Sequence, residues 1–288
     1  MSIEAVWGQQ SVWSQAADRL KRSIGRARIL VLALGVVAAA TATASSQTMG
    51  ADPLLGKVLA FAAAAAAGAT PFAAQHAGSQ RVRDWTRLRA VSEAFKCETY
   101  TYLAEVGAYR PKPSEAALAE RIGRLRADSA DLLRHTVALS ARDRELPPVS
   151  DADTYVERRL RAQIDGYYRP RAELMARRTA AVRRAEIALG VLGAVLAAAA
   201  GAFALDWAGG WVAVGASVTL AVTAHGAAAK YDYQQLEFSR TSVELERLHA
   251  QWSTGSVRTT EAIDAFVSRC EDIISVQNDA WMVKVAEE

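Results

Sequence analysis

The stretch FAAAAAAGATPF, Phe61 to Phe72, sets six consecutive alanines between an aromatic residue and a Gly-Ala-Thr-Pro-Phe end. Alanine is the best helix former but only weakly apolar, so the run alone fits a soluble helix, a low-complexity tract or part of a membrane span. Its neighbourhood decides. No residue from Val58 to Gln80 carries a full charge, and the same holds from Ile29 to Ala51, from Ile187 to Leu205 and from Trp207 to Ala229. A bilayer core takes about 20 mostly apolar helical residues, a length each of these stretches reaches. A soluble bundle is the alternative, but its helices keep a polar face. ILVLALGVVAAATATASS, Ile29 to Ser46, has no charge on any face.

Lipid gives spans no hydrophobic drive to associate, so they meet through small residues that let backbones approach. Ala60, Ala64 and Gly68 form one such ridge, and Gly193, Ala197 and Gly201 another; these are the candidate helix-packing residues. Pro71 is expected to end or kink its helix near the membrane surface.

The chain has 288 residues, about half of them apolar, and its formal charge of +3 hides an uneven distribution. Arg19, Lys21, Arg22, Arg26 and Arg28 precede the first span; Arg81, Arg83, Arg87 and Arg89 follow the second; Arg169, Arg171, Arg177, Arg178, Arg183 and Arg184 precede the third. The short connections 45–57 and 206–210 hold only Asp52, Lys57 and Asp206. By the positive-inside rule both hairpin loops face outward, and both termini and the middle region are cytoplasmic, which predicts a multi-pass protein of the cell membrane. Ala42-Thr43-Ala44 has the small-x-small form of a signal cleavage site, but the basic region before it is too long, and the first span is expected to be retained. Basic clusters beside spans orient the chain and touch lipid headgroups. No nucleic-acid-binding motif accompanies them, so lipid and not nucleic acid is the expected partner.

The chain also repeats. Each half reads as a basic amphipathic helix, a two-span hairpin and a charged helical segment. VWGQQSVWSQAADRL near the start and RRLRAQIDGYYRPRAEL near the middle both place a glutamine four residues before an aromatic, Gln9 with Trp13 and Gln163 with Tyr167. His76 and His225 fall at the ends of corresponding spans. Two copies that begin and end on the same side run parallel, related by an axis along the membrane normal. The boundary is RELPPVSDADT, Arg144 to Thr154, where two prolines and turn formers interrupt the helical pattern.

The expected architecture is therefore an all-α membrane protein with four transmembrane helices in two hairpins, a tandem parallel repeat. The first unit covers 1–145, with spans at about 29–49 and 55–77 and cytoplasmic helices at about 80–110 and 114–142. The second covers 150–288, with a cytoplasmic helix at about 153–185, spans at about 187–205 and 209–229, and further helices at about 230–252 and 258–284. Steps of three and four through Trp85, Leu88, Ser92, Phe95 and Thr99, and through Leu118, Ile122, Leu125, Ser129 and Leu132, predict coiled-coil-like seams in a cytoplasmic helical bundle. Tyr231, Phe238, Leu245 and Trp252 continue the pattern in the second copy.

Catalytic signatures are missing. GADPLLGKV, Gly50 to Val58, is a failed phosphate loop: its glycines are one residue too far apart and Val58 stands where a hydroxyl must reach magnesium. Cys97 and Cys270 lack metal-ligand spacing and read as reduced structural cysteines. No enzyme activity, cofactor or metal is expected. His76 and His225 have two readings, a titratable gate or interfacial residues bonded to a backbone carbonyl or headgroup. The cluster containing Thr41, Thr43 and Ser45 is similarly double: it lines the outer mouth of a water path, or marks where the first helix leaves the membrane.

The layout resembles the SLATT superfamily of bacterial two-span effector proteins, here as a tandem pair. The residues that carry the resemblance are Gln9 and Trp13 in the first copy, Gln163, Tyr167 and Tyr168 in the second, the basic run into an Ala/Gly/Val-rich hairpin, and the charged helix after it. It implies a membrane effector of bacterial conflict systems that forms pores or disrupts the membrane when a nucleotide-signal sensor fires. With no sensor segment in this sequence, the trigger is expected from a cytoplasmic partner or the helical region. The expected function is a homo-oligomeric channel or pore controlled by its cytoplasmic helices, with Arg81, Arg83 and Lys230 at the inner mouth. The alternative is a non-conducting membrane scaffold that recruits cytoplasmic partners.

Overall fold

The structure, a computed structural model, describes residues 1–110, 114–255 and 259–286. Regular structure among them is entirely helical: α1 (Ile3–Thr48), α2 (Pro53–Gln75), α3 (Ser79–Leu103), α4 (Glu115–Asp128), α5 (Ala152–Tyr155), α6 (Arg169–Ala202), α7 (Asp206–Ala229), α8 (Tyr231–Thr254) and α9 (Thr260–Ala286). Two π-helical turns, Val156–Arg161 and Ile164–Tyr168, join α5 to α6. Contacts divide the chain into an apolar unit, Ser23–Gly78 with Leu174–Gln234, and a charged unit made of Met1–Arg22, Ser79–Glu173 and Gln235–Glu288. Each half of the sequence thus gives its hairpin to the apolar unit and its flanking helices to the charged one.

In the apolar unit, four helices are long and apolar enough to cross a membrane, and at most 11% of any apolar window is buried inside the protein. Side chains such as Phe61, Phe72 and Leu220 are at least 70% exposed. A continuous apolar surface of this kind belongs in lipid, not water. Local chemistry closes the first hairpin. Asp52 caps α2 by accepting the N–H groups of Leu54 (3.1 Å) and Leu55 (3.0 Å), with Pro53 beginning the helix, where a missing N–H costs nothing. Ser45 donates to the Gly56 carbonyl at 2.7 Å, and a Cβ at Gly56 would stand 2.9 Å from the Met49 Cα. Pro71 does not end α2, which continues to Gln75.

Within the same unit α1 meets α7. Gln47 donates its amide N–H to the Trp207 carbonyl (2.7 Å) and accepts from the Trp211 indole (3.2 Å). A Cβ at Gly210 would lie 2.9 Å from the Thr43 methyl group, and one at Gly226 would lie 2.9 Å from a Val182 methyl group, so glycine permits both close approaches.

The charged unit is built on α3, which packs against α4 and α9. The expected seams supply much of its interior: Leu88, Phe95, Leu118, Ile122, Leu132 and Leu245 are fully buried. Two expected helices are shorter than their periodicity suggests. The helix expected over 80–110 stops at Leu103, after which Val106 and Tyr109 turn back into the interior. The helix expected over 114–142 stops at Asp128, and the buried pattern passes through a 3-10 turn, Ala130–His135, into an irregular strap over 139–150. The expected start of the last helix at 258 lies outside the described residues; its described part begins at Thr260.

Replacing Gly210 or Gly226 with Leu should lower thermal stability in detergent by about 1–3 kcal/mol through overpacking. Gly193→Leu, at a position where an added Cβ would meet no atom within 4 Å, should leave the single chain's stability unchanged. Melting by circular dichroism checks all three.

Candidate functional site

The polar chemistry of the charged unit converges on one arginine. Arg159 lies in the first π-helical turn and is 1% exposed. Its Nε and terminal nitrogen donate to the two carboxylate oxygens of Glu271 on α9, at 3.0 and 2.9 Å. Tyr155, one turn earlier, donates its hydroxyl to the same carboxylate at 2.8 Å. Glu93 on α3 stands 3.7 Å from Arg159 and is held by Arg89 (2.8 Å) and Lys96 (3.0 Å). Tyr100 lies beneath the guanidinium, 4.9 Å from ring centroid to Cζ. Three segments from both halves of the sequence are thereby tied to one buried cation.

Burial pushes the Glu93 carboxyl up, but Arg89, Lys96 and Arg159 more than reverse this, taking it from 4.5 down to about 2. Burial, reinforced by Glu271, pushes the Cys97 and Cys270 thiols up, so both are poor nucleophiles. Beside this cluster a cavity of about 450 Å³ opens between α3, α4 and α9, lined by Glu93, Cys97, Glu98, Glu271 and Arg87 among others. Its three glutamates are already engaged, Glu93 and Glu271 in the cluster around Arg159 and Glu98 by Arg121 at 2.8 Å and the Tyr109 hydroxyl at 2.5 Å. Among the described residues no group of three or more His, Cys, Asp or Glu is placed to hold a metal ion.

A second polar system fixes the strap. The Trp7 indole donates to the Glu145 carbonyl (2.9 Å), Gln15 to the Ser140 carbonyl (2.9 Å), and the Arg142 N–H to the Ser11 hydroxyl (2.9 Å). Arg144 stacks 3.5 Å over Trp7 and donates to the Trp7 carbonyl and to Gln10. Side chains of α1 thus satisfy backbone groups that a helix would have paired internally.

The residues singled out from sequence fall in both units. Arg81 and Arg83 lie on α3 in the charged unit, and Lys230 belongs to the apolar unit, where it ends α7 in the left-handed region at φ 49°. His76 caps α2 with its Nδ1 3.0 Å from the Phe72 carbonyl, and the His225 ring lies 3.4 Å from the Tyr231 hydroxyl. Thr41 bonds back to the Val37 carbonyl at 2.7 Å, Thr43 packs toward Gly210, and Ser45 is buried inside the hairpin. Ala60, Ala64 and Gly68 are exposed; the buried positions of α2 are Gly56, Ala66 and Ala73. Gly193 is half-buried, Ala197 and Gly201 are exposed, and neither glycine has an atom within 4 Å of its missing Cβ.

Of the family-motif residues, Trp13 and Tyr168 are buried, while Gln9, Gln163 and Tyr167 are half-buried. Trp13 packs against Phe95, and Tyr167 edge-on to Phe238. Their immediate neighbours carry the interior polar contacts. Gln10 is fully buried and donates to Ser92 at 2.8 Å, and Arg159 is the buried cation. Sequence spacing missed Arg159 because its neighbours Arg158 and Arg161 are ordinary surface arginines.

Breaking one side of this cluster should be costly. Glu271→Ala leaves a buried guanidinium without its bidentate partner and should destabilise the charged unit by about 3–5 kcal/mol. The Glu93 carboxylate contributes its stability in full above pH 4.5 and loses it as pH falls toward 2. Glu93→Gln should therefore be less stable at neutral pH and show a flatter decline over that acid window, as measured by melting temperature against pH.

Residues 155–281 match the family described as SMODS and SLOG-associating 2TM effector domain 1, and residues 11–117 match one described as protein of unknown function (DUF4231). No curated protein and no solved structure matches the chain. The matches fall one on each half, with the repeat, and the longer spans one hairpin with its flanking helices. Through residues 155–281, the second half of the chain is similar to the SLATT family of two-transmembrane effector domains.

Proposed function

We propose that this protein is a membrane effector that assembles from several copies into an ion-conducting pore, with its charged helices controlling the opening. The observation that carries the reading is a pair of small-residue ridges that lie mostly exposed: Ala60, Ala64 and Gly68 on α2, and Gly193, Ala197 and Gly201 on α6. Ridges of this kind allow helix backbones of separate chains to approach in lipid. Four spans rich in Ala, Val and Gly enclose no wide aqueous path alone, so conduction requires several subunits around it. The effector family match supports action at the membrane, and the proposed action is physical, not enzymatic.

The proposed orientation has both hairpin loops outside and both termini in the cytoplasm, supported by the basic flanks and the nearly uncharged loops. Cysteines engineered at Ser46 and Gly209 should then react with an impermeant thiol reagent added to intact cells, and one at Ser150 should not. Labelling at Ser150 would reverse the topology.

Purified protein reconstituted in planar bilayers should give discrete currents. Gly201→Leu should abolish both the currents and the oligomer seen by native mass spectrometry, while leaving single-chain stability unchanged. A strictly monomeric protein that carries no current, with or without cell extract as a source of trigger, would overturn the pore and leave the membrane-anchored scaffold.

A further inference from the structure

We propose that the apolar unit carries a built site for the phosphate-bearing headgroup of an anionic phospholipid, in the cleft between the end of α7 and the basic part of α6. The cleft encloses about 550 Å³ and is lined by Thr179, Arg183, Glu186, Thr223, Lys230 and Asp232 among others. Two observations point to a phosphate ligand. Arg183 and Lys230 line the same space from different helices, set against the carboxylates of Glu186 and Asp232. The Glu186 carboxylate already accepts the Thr223 hydroxyl at 2.9 Å, which occupies part of its acceptor capacity. Thr179 Oγ1 is buried with no hydrogen-bond partner, whereas Thr219 and Thr223 on the facing helix both have one. A buried hydroxyl without a partner costs roughly 1–3 kcal/mol, so a ligand oxygen that accepts its proton relieves that cost.

The position selects lipid over a soluble phosphate. Arg183 and Glu186 immediately precede the apolar run that starts at Ile187, and Lys230 immediately follows the run that ends at Ala229. The cleft therefore lies at headgroup level, the depth at which basic pockets between spans hold phosphate groups. Ile187, Val191 and Val195 recur every fourth residue along α6 and are about 60% exposed, an apolar track that leads away from the cleft and suits an acyl chain. A free phosphate ester would use the cations but gain nothing from this track.

The test is lipid binding to the full chain in mild detergent, followed by native mass spectrometry with phosphatidylglycerol, phosphatidylcholine and soluble glycerol phosphate as probes. Phosphatidylglycerol should bind more tightly than the other two. Arg183→Gln and Lys230→Gln should each weaken it about five-fold. Thr179→Val should weaken it measurably with charge unchanged. Arg184→Gln is the control: the same charge is removed next to the same span, but Arg184 does not line the cleft and bonds to the Ala180 carbonyl instead. Equal losses in Arg183→Gln and Arg184→Gln would show diffuse charge attraction and overturn the site. Glycerol phosphate binding as tightly as the lipid would overturn the lipid assignment. All probes are scored against the wild-type and variant melting temperatures, and normal lipid binding by folded Arg183→Gln or Lys230→Gln also refutes the site.

Discussion

A guanidinium removed from water must recover its hydration energy from the protein, and Arg159 does so by drawing three segments around itself. Glu271 from α9 supplies both carboxylate oxygens, Tyr155 shares one of them, and Glu93 from α3 adds the second negative charge. Dispersing the positive charge over two carboxylates and the Tyr100 face makes burial tolerable, but a hydrophobic cluster of equal volume would be at least as stable. What the charge adds is geometry. The bidentate contact is made at one rotation and one height of α9 against the π-helical turn, so register follows from hydrogen-bond directions that an apolar seam alone would leave free to slide. The surrounding aliphatic and aromatic core, including Leu160, Ile164, Leu245 and Val267, then packs at that register.

The apolar unit obeys a different constraint. Its helices bury little of their apolar surface inside the protein, so lipid must cover the remainder, and contacts between helices rely on close backbone approach and a few polar pairs. Gly210 against Thr43, Gly226 against Val182, and the doubly bonded Gln47 are those contacts. The two hydrogen bonds of Gln47, one donated and one accepted, tie the last turn of α1 to the first turns of α7. The exposed small residues of α2 and α6 are left over by this arrangement, and they are the features that an assembly of several chains would use.

Helical class, the four candidate spans and a set of seam positions in the interior were legible in the amino-acid sequence because each is a local property. Long uncharged stretches need a bilayer whatever their neighbours are, and steps of three and four place Leu88, Phe95, Leu118, Ile122 and Leu245 on buried faces without knowledge of the partner helix. The resemblance in the second half, carried by Gln163, Tyr167 and Tyr168, agrees with the family match over the same residues. Helix ends were less legible: the buried pattern through Ser129 and Leu132 continues past Asp128, and periodicity cannot tell a helix from a 3-10 turn that still presents the same side chains inward.

Tertiary structure alone decided which small residues meet within the chain and which charges are buried. Ala60, Ala64 and Gly68 form as good a ridge as Gly56, Ala66 and Ala73; the Asp52 cap and the Ser45 bond to Gly56 set the rotation of α2 that hides the second set. Arg159 differs from Arg158 and Arg161 only through its place in the π-helical turn and the arrival of Glu271 on α9, more than a hundred residues later in the chain. The strap follows the same logic, since its backbone is satisfied by Trp7, Ser11 and Gln15 at the far end of the first copy. Hydropathy and period are properties of a segment, whereas an ion pair or a docked strap depends on the separation of two remote segments in space, and that distance exists only after the helices have packed.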